Sequence, residues 1–369
     1  MNSNITAAFD NESMISRRRL LFSTGALLAA SPFSAQAQPV RIPIADMHSH
    51  YGMFSRKMSD SGLADEMRGQ RIALVAWKLV ADARWIRTTN NGVEQVSEPA
   101  PGDLSKYFNA TLDRMNAYLI AQKLKVVLTQ ADVDACIAGE SGVVLSCEGA
   151  DFLEARIENM DAAYEKGLRH LQLVHYIRSP VGDFQTTEPV HNGLSLMGKQ
   201  LVEKCGAQGV LVDLAHCTAA GVDQALAIAK FPVIWSHGWV DGDGGDWRDP
   251  YGHMKRRLSL AHAKKIADRG GVVGLWGLGF SRPGPGWAVG LGDTRGYAKE
   301  IASLINKIGP DHVAFGTDIE GVGPSWAINN YTHLRSVVEH LQDMKMESSV
   351  IERVAYGNYA RVLKAAMKS

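Results

Sequence analysis

The sequence is poor in cysteine, has no excess of either charge, and contains no apolar run long enough for a confident membrane span. Its four cysteines, Cys136, Cys147, Cys205 and Cys217, form no CxxC pair, and we expect them to be buried thiols. Lysine and arginine total 39, as do aspartate and glutamate, and no basic stripe is present, so we expect no nucleic-acid partner. The 369 residues show no internal repeat and no linker that would divide the mature chain.

The N-terminus has the pattern of an export signal. Three arginines (17–19) precede the apolar stretch 20–30, and the small residues 35–37 (AQA) offer a cleavage site. We therefore predict a twin-arginine signal peptide over residues 1–37 and an exported, periplasmic mature chain of residues 38–369. The alternative is a plain secretory signal or an uncleaved anchor, although the apolar stretch is short for a membrane-spanning helix.

Short apolar runs alternate with helix-like stretches along the mature chain. The runs are rich in Val, Ile and Leu and apolar on both faces, as in a buried parallel sheet. The predicted strands cover 42–48, 72–79, 142–148, 169–175, 209–215, 231–236, 271–277 and 312–317. The predicted helices cover 104–122, 153–166, 194–205, 219–229, 259–268, 294–308, 331–344 and 348–367. Eight strands with helices between them predict an α/β protein of the (β/α)8, or TIM-barrel, class.

Several of these runs end in a side chain that can bind a metal. The candidate ligands are His48, His50, Glu148, His216 and His237. In a (β/α)8 barrel the strand ends meet at one rim, so these groups would converge there. We expect Glu148 to bridge two divalent cations, one held by His48 and His50 and the other by His216 and His237. Zn²⁺ fits imidazole and carboxylate best, with manganese, iron or cobalt as alternatives.

A carboxylate-bridged metal pair binds a hydroxide between its ions, and this chemistry predicts a hydrolase. Asp318, which closes the last strand, is the candidate proton shuttle, and a helix N-cap is its alternative role. His175 is the candidate donor to the oxyanion of the substrate, or else a buried structural histidine. Arg256 or Arg257 would bind a substrate carboxylate, or be a solvated charge.

Two stretches rich in Gly, Pro and Asp follow strands on the same rim. They cover 238–253 and 281–293, and we predict long loops that shape the substrate pocket. The acidic loop 238–253 lacks the spacing of an EF-hand, so we do not assign calcium to it.

Several segments resemble the membrane (renal-type) dipeptidase family of the amidohydrolase-like barrels. They are GLSLMGKQLVEKCGAQGVLVDLAH (193–216), PVIWSH (232–237), RRLSLAHAKKIADRGGVVGL (256–275), FGTDIEGV (315–322) and GNYARVL (357–363). The resemblance implies a two-zinc barrel that hydrolyses dipeptides, including some with a D-residue at the C-terminal side. It implies zinc binding for His48, Glu148, His216 and His237. It also implies contact with the scissile-bond oxygen for His175, acid–base catalysis for Asp318, and carboxylate binding for Arg256 or Arg257.

The chain departs from the family pattern at two positions. The family has H-x-D on the first strand, where this chain has His48-Ser49-His50, and it has Asn after the clamp arginine, where this chain has Leu258. Loss of one carboxylate removes a negative charge from the first metal site and brings dipeptide specificity into question.

The leading hypothesis is therefore an exported two-zinc dipeptidase. A barrel hydrolase of a non-peptide amide, lactone or β-lactam is the second hypothesis, and a non-catalytic exported binding protein is the third. A homodimer is one candidate assembly, and we expect no membrane span in the mature form.

Overall fold

The computed structural model describes residues 41–54, 58–89, 92–240, 253–277, 293–321 and 327–368. Residues 41–369 form one compact unit. The predicted signal peptide, 1–37, lies outside the described residues, as do most of the predicted loops 238–253 and 281–293. Within the described ranges, every helix is too short or too polar to cross a lipid bilayer.

Eleven strands lie in the described part of the chain. They are β1 (Ile44–Ser49), β2 (Ile72–Val80), β3 (Ile86–Thr89), β4 (Gly92–Gln95), β5 (Lys125–Val126), β6 (Gly142–Glu148), β7 (Leu168–Gln172), β8 (Leu211–Asp213), β9 (Ile234–Trp235), β10 (Val272–Leu275) and β11 (Val313–Phe315). Eight of them are parallel neighbours in the order β2-β1-β11-β10-β9-β8-β7-β6, and pairing of β2 with β6 closes the barrel. All eight predicted strands and the predicted fold class are thus confirmed.

The barrel strands are buried on both faces, as their composition predicts. All nine residues of β2 and all seven of β6 are buried, so apolar side chains are needed on the inside and the outside of the barrel. The short strands β3 and β4 were not predicted. They form an antiparallel hairpin outside the barrel, and β5 adds to the edge of β6.

Within the same described ranges, eleven α-helices accompany the strands. They are α1 (Leu63–Gln70), α2 (Asp103–Gln122), α3 (Gln130–Ala138), α4 (Asn159–Glu165), α5 (Leu196–Gln208), α6 (Ala219–Ile228), α7 (Leu260–Asp268), α8 (Thr294–Ile308), α9 (Tyr331–Asp343), α10 (Ser348–Glu352) and α11 (Asn358–Ala366). Helices α1 and α3 were missed, although Thr129 and Asp132 form a capping box at the start of α3. The helix predicted over 153–166 begins only at Asn159, because Glu154 and Ala155 have left-handed backbone conformations, with φ of 47° and 60°, that interrupt a helix.

Side-chain caps fix where the later helices begin. Ser195, Thr218, Ser259, Asp293 and Asn330 each accept a hydrogen bond from the backbone N–H three residues ahead. Such caps satisfy amide groups that lack a partner within the helix. They fix where the loops that follow β7 to β11 end and the next helices begin.

Candidate metal and substrate site

The strand ends bring the predicted site residues together at one rim of the barrel. Glu148 is the last residue of β6, His48 lies in β1, and His50 follows it directly. The remaining candidates stand two or three residues beyond β7, β8, β9 and β11, namely His175, His216, His237 and Asp318. All seven side chains are buried. Seven polar side chains buried at one place call for charge compensation or a ligand.

Two groups of metal-binding atoms share Glu148. The first comprises His48, His50 and Glu148, and the second comprises Glu148, His216 and His237; within each group the ligand atoms lie within 4.8 Å of one another. Glu148 Oε2 is 3.1 Å from His50 Nε2, and Glu148 Oε1 is 3.2 Å from His216 Nε2. Glu148 Oε1 also lies 3.6 Å from His48 Nε2 and 3.7 Å from His237 Nε2, so this one carboxylate contacts both histidine pairs.

In His48, His50 and His237, contacts on the far side of the ring direct Nε2 inward. His50 Nδ1 donates to the carbonyl oxygen of Lys78 at 2.8 Å, so its Nδ1 carries the proton. The hydroxyl of Ser236 lies 2.8 Å from His48 Nδ1 and 3.1 Å from His237 Nδ1, and it ties the two groups together. Such outer contacts are the usual means of orienting a metal-binding imidazole.

The donor set fits divalent cations. The Nε2 atoms of His48 and His50 lie 3.2 Å apart, as do those of His216 and His237. Two lone pairs at that distance repel each other unless a proton or a metal ion lies between them. Burial and nearby positive charge hold the pKa values of His48, His216 and His237 well below the ordinary value, so these rings stay neutral and keep their lone pairs.

The carboxylates around His50 also favour positive charge at this place. Burial alone would lower its pKa, but hydrogen bonds to the carboxylates of Asp318 and Glu148 raise it to about 10. Asp318 Oδ1 lies 3.1 Å from His50 Nε2 and 3.5 Å from His48 Nε2. Burial raises the pKa of Asp318, which makes its carboxylate a better proton acceptor.

Two of the site residues have an uncommon backbone conformation. His216 has φ of 71° and Asp318 has φ of 55°, both in the left-handed region. The Asp318 loop is held in place by a hydrogen bond from its backbone N–H to the carbonyl oxygen of His48 at 2.8 Å. Strained backbone of this kind is often found at functional sites.

The structure distinguishes the two candidate arginines. Arg256 is 2% exposed, and its Nη2 lies 3.1 Å from His237 Nε2. Its guanidinium also donates to the hydroxyl of Tyr176 at 3.1 Å and to Oε1 of Gln185 at 3.1 Å. Arg257 is half-buried and is not among the described residues that line the cavity, whereas Arg256 is.

Apolar side chains form much of the cavity wall around these groups. Phe54, Val80, Ile86, Val93 and Trp276 line it together with His50, Glu148, His175, Arg256 and Asp318. Ile86 and Val93 belong to the β3–β4 hairpin, so the hairpin that the sequence analysis missed forms one side of the pocket. A mostly apolar cavity with a few convergent polar groups is typical of a small-molecule site.

Several supporting residues were also missed by the sequence analysis. Asp82 contacts His175, and Ser236 contacts two histidines. Lys78 forms a buried ion pair with Asp213 in the barrel interior. The sequence carries a signal for the last pair, because a lysine and an aspartate within apolar strands must be compensated when buried.

A protein-family model and known relatives match the chain. The model described as "Membrane dipeptidase (Peptidase family M19)" matches residues 64–243 and 254–369. An uncharacterized Klebsiella pneumoniae protein in the pqqA 5′ region is 25% identical over 66% of this chain and 89% of that protein. Dipeptidase tcpJ of Claviceps purpurea is 24% identical over 62% of this chain and 51% of that protein.

A solved structure shares the fold. It is a metallopeptidase from Rhodobacter sphaeroides liganded with a phosphinate mimic of the dipeptide L-Ala-D-Ala, with a TM-score of 0.67 and 17% identity over 88% of this chain and 99% of that one. At this identity the structural likeness supports the barrel architecture, while the family model covers most of the sequence. The chain therefore belongs to the membrane dipeptidase family, peptidase family M19, and is a metallo-dipeptidase on a (β/α)8 barrel.

Proposed function

We propose that the chain is an exported dipeptidase that works with two zinc ions. The observation that carries this proposal is the sharing of Glu148 between two sets of buried histidines, each set compact enough for one ion. Imidazole nitrogen and carboxylate oxygen are ligands well suited to zinc. Export rests on the twin-arginine pattern of residues 17–37 in the sequence.

Two zinc ions held by His48, His50, Glu148, His216 and His237 would supply Lewis acidity and an activated water. The protein groups then have separate tasks. The carboxylate of Asp318 takes the proton of the attacking water and passes it to the leaving amine. His175, whose Nε2 lies 3.4 Å from Glu148 Oε2, faces the same space and stabilises the charge that develops on the carbonyl oxygen.

Arg256 is the group that binds the carboxylate of the dipeptide. Its charge is buried, and the rings of Trp276 and Tyr176 lie 5.4 Å and 5.7 Å from its guanidinium carbon. A buried guanidinium held by aromatic faces can form a bidentate pair with a carboxylate. This preference selects substrates with a free carboxylate, such as that of a dipeptide.

A D-residue at the C-terminal position of the dipeptide is part of the proposal. Its support is the Rhodobacter sphaeroides neighbour, whose ligand mimics L-Ala-D-Ala. A second candidate function is hydrolysis of a non-dipeptide amide, a lactone or a β-lactam on the same barrel. His50 motivates this alternative, because it adds no negative charge where the family pattern has a carboxylate.

The test is amine release from a panel of L-L and L-D dipeptides by the zinc-loaded chain 38–369. We expect hydrolysis that a chelator abolishes, with close to two zinc ions per chain by elemental analysis. Glu148→Gln should lose both zinc and activity. Arg256→Lys should raise KM, whereas the matched variant Arg257→Lys should leave KM unchanged.

The outcomes separate the two functions. Hydrolysis of N-acetylated amide substrates or lactones, without hydrolysis of any dipeptide, would favour the second candidate. One zinc per chain in an active enzyme would contradict the shared role of Glu148. A cytoplasmic location of the intact chain, measured by cell fractionation, would contradict export.

A further inference from the structure

We propose that Asp82 is a positioning residue that holds both substrate-facing groups in place, His175 directly and Arg256 through Tyr176. This inference rests on the proposed function, because it assigns the substrate-facing roles to His175 and Arg256. Asp82 was not among the candidates from the sequence, and it lies two residues beyond the end of β2.

Each carboxylate oxygen of Asp82 has its own partner. Oδ1 accepts a hydrogen bond from His175 Nδ1 at 2.6 Å, and Oδ2 accepts one from the backbone N–H of Tyr176 at 3.0 Å. Asp82 is fully buried, so its carboxylate does not exchange these partners for water. Two consecutive residues after β7 are therefore bound to one carboxylate at the end of β2.

The first contact fixes the His175 ring. An imidazole that donates from Nδ1 to a fixed acceptor can rotate little, and its Nε2 must then point to the opposite side. That side is the cavity, where His175 Nε2 lies 3.4 Å from Glu148 Oε2. A short hydrogen bond to a carboxylate is also stronger than one between neutral groups.

The contact of Asp82 with Tyr176 links Asp82 to Arg256. The Tyr176 ring lies in an edge contact with the His175 ring, with centroids 4.5 Å apart. The Tyr176 hydroxyl accepts a hydrogen bond from Arg256 Nη1 at 3.1 Å. The backbone of Tyr176 is bound to Asp82, so the hydroxyl that holds Arg256 is anchored by the same carboxylate.

A neighbouring carboxyl group supports the assignment. Asp151 is buried beside Asp82, and burial, with a further contribution from the Asp82 charge, raises the pKa of Asp151 to about 7. A Cβ at Gly149 would lie 2.5 Å from Asp151 Oδ2 and 3.2 Å from His175 Cβ. Gly149 therefore allows this close packing of His175 and Asp151 next to Asp82.

The test compares Asp82→Asn with Tyr176→Phe. Asparagine keeps the size of the side chain but has one acceptor for two donors. We expect Asp82→Asn to lower kcat about 100-fold, as for a misplaced catalytic group, and also to raise KM. Tyr176→Phe loses only the contact to Arg256, so we expect KM to rise about 10-fold with a smaller change in kcat.

Asp132→Asn is the matched structural control. It also removes an aspartate that accepts backbone hydrogen bonds, but in the exposed cap of α3. We expect it to lower thermal stability and leave kcat and KM unchanged. Zinc content, measured by elemental analysis, should stay at the wild-type level in all three variants.

Unchanged kcat and KM in Asp82→Asn, with only a loss of stability like that of the control, would overturn the proposal. Loss of zinc from Asp82→Asn would also overturn it, since the residue would then support the metal site. A wild-type KM in Tyr176→Phe would remove the link to Arg256.

A measurement without substrate separates this proposal from the proposed function. Proton NMR of ¹⁵N-histidine-labelled protein should show a downfield Nδ1–H signal of His175, identified by its absence in His175→Asn. In Asp82→Asn we expect the signal to move upfield or disappear, whichever substrate the enzyme uses. An unchanged signal would refute the role of Asp82, whereas inactivity of the wild-type chain on dipeptides would refute only the proposed function.

Discussion

Substitution of Gly316 by alanine should weaken metal binding by displacing Ser236, which contacts two of the candidate metal ligands. Gly316 follows β11, and a Cβ there would lie 1.6 Å from the carbonyl oxygen of Ser236. A carbon–oxygen contact needs about 3.3 Å, so the Ser236 carbonyl would have to move by about 1.7 Å. Gly274 also lies close to this oxygen, since a Cβ added at Gly274 would lie 1.9 Å from it, so the displaced carbonyl has little room toward β10.

This movement matters because Ser236 orients one histidine of each metal group. Its hydroxyl lies 2.8 Å from His48 Nδ1 and 3.1 Å from His237 Nδ1. Hydrogen-bond lengths vary by only about 0.5 Å, so a shift of about 1.7 Å would break these contacts. Loss of such outer contacts weakens metal binding by roughly 10- to 100-fold. Overpacking should also destabilise the fold by about 1–3 kcal/mol.

The assay is competition for zinc between the metal-free mature chain and a chelating dye, together with urea unfolding of each variant. Ser236→Ala removes the hydroxyl without moving the backbone and should reproduce most of the loss of zinc affinity. Gly69→Ala, in helix α1, is the matched control, because its added Cβ meets no atom of the described residues within 4 Å. A folded Gly316→Ala protein with wild-type zinc affinity would refute the reasoning.

Three further predictions concern single residues. Asp318→Asn should lower turnover by roughly 10²- to 10⁴-fold while zinc content stays at the wild-type level, and retained turnover in a kinetic assay would exclude the proton-transfer role. The His50→Asp variant should bind zinc more tightly in the same dye competition, because it adds a negative charge to the group formed by His48, His50 and Glu148. Unchanged zinc affinity would mean that His50 is not a ligand. Asp183→Asn should be less stable by about 1–3 kcal/mol at pH 7 in urea unfolding. Burial would raise the pKa of Asp183, but hydrogen bonds from backbone N–H groups of the 190–193 loop lower it below its ordinary value. The difference in unfolding free energy between wild type and Asp183→Asn should therefore shrink as the pH falls through that lowered pKa. A difference that does not depend on pH would contradict this prediction.

The barrel and its rim could be predicted because they follow from local patterns. Buried parallel strands need apolar residues on both faces, so each strand of the barrel is a visible apolar run. A polar residue at the end of such a run must lie at the rim, whatever the exact bounds of the strand. His216, for example, lies three residues beyond the observed end of β8 and still faces Glu148.

Other features depended on packing between distant segments. The choice between Arg256 and Arg257 could not be made from sequence, since adjacent residues point in different directions and the 3-10 turn over 253–256 decides which one is buried. The β3–β4 hairpin did carry a local signal, because the two residues between Thr89 and Gly92 in the sequence are Asn90 and Asn91, and asparagine favours tight turns. Its contribution to the pocket, however, depends on where it packs.

The buried ion pair of Lys78 and Asp213 is better explained by the site than by the stability of the barrel. A buried ion pair contributes little net stability, because desolvation of the two charges offsets their attraction. Yet Asp213 Oδ1 accepts the backbone N–H of Ser236 at 2.9 Å, and Lys78 accepts the Nδ1–H of His50 through its carbonyl oxygen at 2.8 Å. Lys78 Nζ also donates to Gln172, whose amide donates to Glu148 Oε1 at 3.1 Å. The charged side chains of the pair therefore hold Ser236, which contacts a histidine of each metal group, and Gln172, which contacts Glu148, and these contacts give a physical reason to keep two charges inside an apolar barrel.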